Sequence, residues 1–135
     1  MRLSQVKQAQ QLPIDRTNAP DIVRDNFMKY LQSQFIHKQD WVHPTTGEVY
    51  SYDQIYKVIR QYRELDYEYN SGFNYDLLYL HWASDATRYQ IAARYSFSCN
   101  SLRRRWNATI DALLLMLLYP ELGPITYQCS HPQQN

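Results

Sequence analysis

The segment TRYQIAARYSFSCNSLRRRW, residues 87–106, decides how the rest of this 135-residue chain is interpreted. Thr87 and Ser98 are good N-caps, because a side-chain oxygen can accept a hydrogen bond from a free backbone N–H in the first turn of a helix. Between them, Ser96 stands where a tight turn favours glycine, since the turn requires a positive φ. The segment therefore predicts two helices joined by a short turn, the pattern of a helix-turn-helix.

The apolar side chains of this segment are spaced to hold the two helices together. Ala92, next to Ile91, is small enough to let the second helix cross the first at close range. Phe97 would fill the gap between the helices. Leu102 and Trp106 lie one turn apart on the second helix and would point back onto the first.

The opposite face of the second helix is polar and basic. At about 100° per residue, with Leu102 and Trp106 inward, Asn100, Arg104 and Asn107 fall on the far side. Arginine and asparagine suit the edges of guanine and adenine respectively, so we predict double-stranded DNA as the ligand. The candidate contact residues are Thr87, Arg88, Ser98, Asn100, Ser101, Arg103, Arg104, Arg105 and Asn107. The alternative is a structural helical hairpin whose arginines lie over apolar neighbours.

Positive charge is concentrated in the same part of the chain. Residues 84–110 contain five arginines and one aspartate, whereas residues 1–83 contain nine lysines and arginines against ten acids. Residues 111–135 add two acids and no lysine or arginine. Because the net charge of the whole chain is only +1, we expect a local contact with modest intrinsic affinity, supplemented by dimerisation or a second protein.

Helical periodicity also precedes the segment. After Pro20, apolar residues recur at helical spacing to about His37. Ser51 or Asp53 can cap a further helix, and Asn74 can cap the next one. The pattern predicts a small all-α domain with a C-terminal helix-turn-helix and a long last helix, and residues 40–50 are compatible with a short hairpin. We expect a flexible polar arm over residues 1–19, an N-terminal helical part over 20–73, a helix-turn-helix part over 74–120 and a loose tail over 121–135, with 20–120 forming one compact unit.

The last helix, from Ser98 to about Leu118, is longer than a recognition helix requires. Leucines at positions 113, 114, 115, 117 and 118 wrap more than one of its faces. One face could meet the amino-terminal helices while another meets a second copy, which predicts a homodimer. A helix end that is fully buried within one copy explains the pattern equally well.

Patterns typical of catalysis or metal binding are missing from the sequence. The histidines at 37, 43 and 81 and Cys99 do not have the spacing of structural zinc sites. Four acids lie close together in sequence: Glu64, Asp66, Glu68 and Asp76. No nucleophile or general base accompanies them in recognisable order, so we interpret them as a solvated acidic surface. With only three glycines there is no phosphate-binding loop. We predict a protein that is not an enzyme and needs no cofactor or metal.

The positions of the cysteines and the hydropathy of the chain indicate its cellular location. Cys99 falls in the second helix and Cys129 in a polar tail, so a structural disulfide is not expected and a reducing cytoplasm is the natural location. The longest apolar run, Ala112–Tyr119, is too short to span a membrane. We therefore expect no membrane contact.

The segment NYDLLYLHWASDATRYQIAARYSFSCNSLRRRWNATIDALLLMLL, residues 74–118, resembles the fourth region of sigma-70-type factors. More specifically, it is similar to the ArpU and RinA class of phage and prophage late-gene regulators from Gram-positive bacteria. The strongest matches are Ile91-Ala92, Ser98, Leu102 and Arg105, whereas Ser96 and Trp106 depart from the common pattern. The resemblance implies a DNA-binding transcription regulator that contacts RNA polymerase.

Two other functions compete with a regulator. A small terminase subunit or another DNA-packaging protein would use the same motif inside a ring, so its oligomer would be much larger than a dimer. A tyrosine-rich helical adaptor would bind only protein and would pair the arginines with an acidic partner.

Overall fold

The computed structural model describes residues 20–122, which are mainly helical, and this confirms the predicted all-α class. The α-helices in this range are α1 (Asp21–Ser33), α2 (Tyr52–Asn70), α3 (Phe73–Ala83), α4 (Arg88–Arg94) and α5 (Cys99–Leu118). Strands β1 (Trp41–Val42) and β2 (Val49–Tyr50) lie between α1 and α2, and 3₁₀ turns follow α1 at Phe35–His37 and α5 at Pro120–Leu122. The predicted arm, residues 1–19, and residues 123–135 of the predicted tail lie outside the described residues, whereas the first two residues of that tail belong to the 3₁₀ turn Pro120–Leu122.

Three of the predicted helix caps form as expected. Ser51 accepts a hydrogen bond from the Gln54 backbone N–H, and the Gln54 side chain accepts one from the Ser51 N–H in return. Thr87 forms the same reciprocal capping box with Gln90 at the start of α4. Ser98 caps α5 by accepting from a backbone N–H one turn along the helix. Local side-chain chemistry thus fixes where these helices begin.

The predicted cap of α3 is wrong, because the helix begins before Asn74. Its N-cap is Gly72, which has a φ of 78°, and the preceding Ser71 is also left-handed with a φ of 57°. Two successive left-handed residues reverse the chain tightly between α2 and α3. A Cβ atom on Gly72 would overlap the ring of Tyr67, so this position requires glycine for space as well as for backbone conformation.

The interpretation of the acids as a solvated surface is wrong for Asp66. Its carboxylate is fully buried and accepts hydrogen bonds from the side-chain amides of Asn70 and Asn74, each at 3.1 Å. It also accepts from the backbone N–H of Tyr75 at 2.9 Å, which satisfies a free donor in the first turn of α3. A carboxylate from the end of α2 therefore caps α3, while Glu64 and Glu68 are exposed as predicted.

The hairpin that residues 40–50 allow is present. Trp41 pairs with Tyr50 and Val42 with Val49 in an antiparallel register. The Trp41 side chain is buried edge-on against Phe27 of α1, with ring centroids 4.9 Å apart, and its indole N–H donates to the side-chain oxygen of Asn26 at 2.8 Å. The hairpin thus closes one side of α1.

Helix α5 forms the centre of the core and packs against each of the other four α-helices. Leu113, Leu114, Met116 and Leu117 in its second half are all buried within the single chain. Burial within one copy therefore explains the leucine-rich end of the helix, and this pattern no longer calls for a second copy.

A buried ion pair joins the first helix of the core to the last. Arg24 of α1 donates through Nε to Oδ1 of Asp111 of α5 at 3.1 Å, and the side chains are 13% and 5% exposed. The same guanidinium also contacts Asp21 at 2.8 Å on the surface. The ion pair thus joins Arg24 and Asp111, which are 87 positions apart in the sequence.

Within residues 20–122 no helix is both long enough and apolar enough to cross a membrane.

Candidate nucleic-acid interface

The turn between α4 and α5 has the conformation that the sequence requires. Ser96 has a φ of 61°, so a serine occupies the left-handed region at the position where glycine is favoured. The Phe97 N–H donates to the carbonyl of Ala92 at 2.8 Å, and the Ser96 N–H donates to that of Ala93 at 3.2 Å. These bonds close the C-terminal end of α4 and set the direction in which α5 leaves.

The predicted inward residues anchor the helix pair from behind. Ile91, Ala92, Leu102 and Trp106 are all buried in the main core, and α4 packs against α5. The Trp106 indole N–H donates to the carbonyl of Leu77 in α3 at 3.0 Å. This hydrogen bond fixes the first half of α5 against α3.

The predicted outward residues of the first turns of α5 lie at the surface. Asn100, Arg103 and Arg104 are exposed, and Ser101 and Asn107 are partly exposed. The Arg104 guanidinium donates to the Ser101 hydroxyl at 3.2 Å, and that of Arg103 reaches the Asn100 side-chain oxygen at 3.5 Å. The arginines are thus held along the helix by their neighbours, with their remaining donors directed to solvent.

Arg105, another of the predicted contact residues, lies in a different environment. It is partly buried, and its guanidinium lies over the rings of Phe73 and Phe97, at 5.2 and 5.5 Å from their centroids. It also reaches the side-chain oxygen of Asn74 at 3.5 Å. Because Asn74 donates to the buried Asp66, a polar chain runs from the end of α2 to the second turn of α5. Arg105 therefore contributes to the position of α5.

The remaining predicted residues lie at the start of α4 and of α5. Thr87 and Ser98 are exposed but serve as caps, and Arg88 is exposed with its guanidinium 5.5 Å from the ring of Tyr89. The sequence analysis did not select Arg94, which is exposed at the end of α4 and lies 5.9 Å from the ring of Tyr95. The position of Arg94 within the arginine-rich residues 84–110 is the feature of the sequence that indicates it.

The exposed arginines of α4 and α5, which are Arg88, Arg94, Arg103 and Arg104, are available to an anion. No ion pair within residues 20–122 involves Arg88, Arg94, Arg103, Arg104 or Arg105. Asp85 is the single acid among residues 84–110. The surface of the helix pair therefore carries positive charge that the described part of the chain does not neutralise.

Residues 20–122 contain no group of three histidine, cysteine or acidic side chains placed to hold a metal ion. His43 is buried, and its Nδ1 accepts from the backbone N–H groups of Thr45 and Thr46 at 3.1 and 3.2 Å, so it stabilises the hairpin turn. His81 lies against the ring of Trp106, with centroids 4.2 Å apart. Both histidines thus have structural contacts.

The environment of His81 predicts a pH dependence of stability. Burial lowers the pKa of His81 below its usual 6.5, and the nearby Arg88 lowers it further. The unfolded chain therefore takes up this proton before the folded chain does, so the contribution of neutral His81 to stability is fully present above about pH 6.5 and is lost as the pH falls from there through the lower pKa of the folded chain. Urea unfolding of His81→Gln should show a weaker loss of stability than the native sequence between pH 7 and pH 5. The exposed His37→Gln variant is the control, and an unchanged pH dependence in His81→Gln would contradict the prediction.

Comparison of the chain with protein-family models, with curated proteins and with solved structures finds no significant match.

Proposed function

We propose that this protein is a sequence-specific regulator of transcription that binds double-stranded DNA through the helix pair α4–α5. The observation that carries the proposal is the exposed row of Asn100, Arg103 and Arg104 at the start of α5, a helix whose Leu102 and Trp106 are buried. A helix anchored in this way presents its first turns to the major groove, where side chains can reach base edges.

The chemistry of the row supports recognition of particular bases. Arginine can donate two hydrogen bonds to guanine, and an asparagine side chain can both donate to and accept from adenine. The guanidinium of Arg104 donates a hydrogen bond to the Ser101 hydroxyl, which restricts the side chain before binding. The conformational entropy that Arg104 loses on binding is therefore smaller. Arg88, Arg94, Thr87 and Ser98 supply contacts to the phosphate backbone, which set the register of the helix without reading sequence.

We also infer that one copy of the protein does not act on DNA alone. The small number of exposed arginines implies few phosphate contacts and a modest affinity for one copy. Recruitment by RNA polymerase, or pairing with a second copy, would raise the effective affinity without new contacts to DNA. The resemblance of residues 74–118 to late-gene regulators supports a phage or prophage origin, and it also supports the polymerase as the partner.

Arg104→Ala distinguishes base recognition from phosphate contact. It should weaken binding to the preferred duplex by about 1–3 kcal/mol and binding to random DNA by much less, because a base contact contributes only at the correct site. Fluorescence anisotropy on both duplexes at fixed salt measures the difference. Arg60→Ala is the matched control, since Arg60 is exposed on α2 and paired with Glu64 at 3.8 Å. Equal losses on both duplexes would show that Arg104 contacts phosphate.

Selection of bound duplexes from a random pool at two salt concentrations tests the function itself. A regulator should enrich one motif at both concentrations, while total retention falls as salt rises. Failure to retain any duplex at low salt would refute DNA binding and favour the protein adaptor. Enrichment by a large ring, as judged by light scattering, would instead favour a DNA-packaging protein.

A further inference from the structure

The turn between α4 and α5 is in contact with an aromatic ring from an earlier part of the chain. Phe73, the first residue of α3, meets Tyr95 and Phe97 of the turn edge-on, with ring centroids 6.2 and 6.1 Å apart. All three rings are partly buried and pack against the core. The start of α3 thus supports the turn that sets the direction of α5.

The guanidinium of Arg105, in the second turn of α5, lies over two of these rings. Its Cζ atom is 5.2 Å from the ring centroid of Phe73 and 5.5 Å from that of Phe97. A planar, weakly hydrated guanidinium stacks on aromatic rings, whereas the compact ammonium of lysine holds its water more strongly. One side chain of α5 is therefore held by α3 and by the turn at the same time.

An amide side chain connects Arg105 to a buried carboxylate. The side-chain oxygen of Asn74 accepts from the Arg105 guanidinium at 3.5 Å, and the Asn74 side-chain nitrogen donates to Asp66 at 3.1 Å. Asn74 and Asp66 are both buried. A carboxylate that accepts from one end of an amide makes the other end a better acceptor. The Arg105 guanidinium thus has polar as well as aromatic partners within the fold.

The two arginines that precede Arg105 differ from it in both respects. Arg103 and Arg104 are exposed, and their hydrogen-bond partners, Asn100 and Ser101, belong to α5 itself. These contacts leave the position of α5 relative to the other helices unaffected. The contacts of Arg105 instead join α5 to α3 and to the turn.

We infer that Arg105 is a positioning residue of the helix pair α4–α5 and not one of its DNA contacts. This role rests on the proposed function, because it concerns the helix that would read DNA. With the guanidinium held against α3 and the turn, the first two turns of α5 keep one direction relative to α4. Asn100 and Arg104 then reach the groove together, as base recognition requires, since it tolerates only small displacements.

Replacement of Arg105 by lysine and by methionine distinguishes positioning from phosphate contact. Lysine keeps the charge that a phosphate contact needs, whereas methionine keeps an apolar chain that packs well on aromatic rings. Arg105→Lys should weaken binding to the preferred duplex by roughly tenfold, the loss expected for a two-ring cation contact. Arg105→Met should weaken it by much less. The slope of log affinity against log salt should stay that of the native chain in both variants.

Arg94 is the matched control, because it is exposed at the end of α4 and is assigned above to the phosphate backbone. Arg94→Met should lower the salt slope by about 1, as expected for one lost phosphate contact. Arg94→Lys should keep most of the affinity. The order of the lysine and methionine variants should therefore be opposite at positions 94 and 105.

The reactivity of Cys99 reports on the position of α5 without DNA. Cys99 is the first residue of α5 and is partly buried against the core. The chain has two cysteines, so Cys129→Ser leaves Cys99 as the only thiol. In that background Arg105→Ala should raise the rate of alkylation of Cys99 several-fold. Asn26→Ala removes the acceptor of the Trp41 indole, outside α4 and α5, and controls for a general loss of stability.

The two measurements separate the failure of this role from the failure of DNA binding. Full affinity in Arg105→Lys, with a lower salt slope in Arg105→Met, would show that Arg105 contacts phosphate and would overturn the inference while DNA binding stands. An alkylation rate that Arg105→Ala leaves unchanged, or raises no more than Asn26→Ala does, would also overturn it. If the native chain binds no duplex, the proposed function fails, and faster alkylation in Arg105→Ala would still assign Arg105 to holding the helix pair.

Discussion

Trp106→Ala is expected to lower the free energy of unfolding by about 3–5 kcal/mol, the usual cost of truncating a buried aromatic side chain. The ring of Trp106 is 4% exposed, contacts His81 and donates its indole N–H to Leu77. Truncation removes the packing, the ring contact and the hydrogen bond together. Urea unfolding monitored by circular dichroism measures the loss. Under the proposed function, Trp106→Ala should also bind DNA more weakly even where it is still folded, because α5 loses its anchor on α3.

Trp106→Phe separates the two contributions of this side chain. It keeps an apolar ring beside His81 but cannot donate to the Leu77 carbonyl, so its stability should fall between those of the native chain and Trp106→Ala. Trp82→Ala serves as the comparison, because Trp82 is partly exposed on another surface. A Trp106→Ala variant as stable as the native chain would contradict the central position that we assign to α5.

Asp111→Ala should also destabilise the fold, by about 1–3 kcal/mol, because the buried Nε of Arg24 loses its acceptor while the guanidinium keeps its surface contact with Asp21. The two groups are 3.1 Å apart and join the first helix of the core to the last. Asp111→Asn should cost less, since an amide oxygen can still accept from Arg24. Chemical denaturation of the three proteins under identical conditions measures the order.

A double variant, Arg24→Met with Asp111→Leu, tests whether the loss comes from the buried Arg24 donor that no longer has Asp111 as its acceptor. Replacement of both charges by apolar groups of similar size should restore most of the stability that Asp111→Ala loses. If the double variant is as unstable as Asp111→Ala, the loss comes from altered packing and the electrostatic explanation is wrong.

The parts of the fold that depend on neighbouring residues could be predicted from the sequence. Thr87 and Ser98 cap the helices that follow them, and Leu102 and Trp106 point into the core, because capping and helical periodicity depend on a few adjacent positions. The left-handed turn at Ser96 also follows from its position between the two caps. Most of the geometry of the candidate site could therefore be predicted from the sequence.

The buried charges could not be predicted in the same way. Asp66 and Asp111 resemble surface acids in the sequence, since only their partners make burial tolerable. The Arg24 partner of Asp111 lies 87 positions away, and the Asn74 donor to Asp66 belongs to the next helix. The position of Arg105 likewise depends on Phe73 and Phe97, which come together only in the folded chain.

The polar chain from Asp66 through Asn74 to Arg105 changes how genetic data on this protein should be interpreted. Under the proposed function, a screen for lost regulation would recover substitutions in the reversal between α2 and α3, because damage there displaces the helix that carries Asn100 and Arg104. Such alleles would be deficient at every operator alike. Substitutions of Asn100 or Arg104 would instead change which operator is preferred. A compensating change in the operator should therefore restore regulation for this second group only.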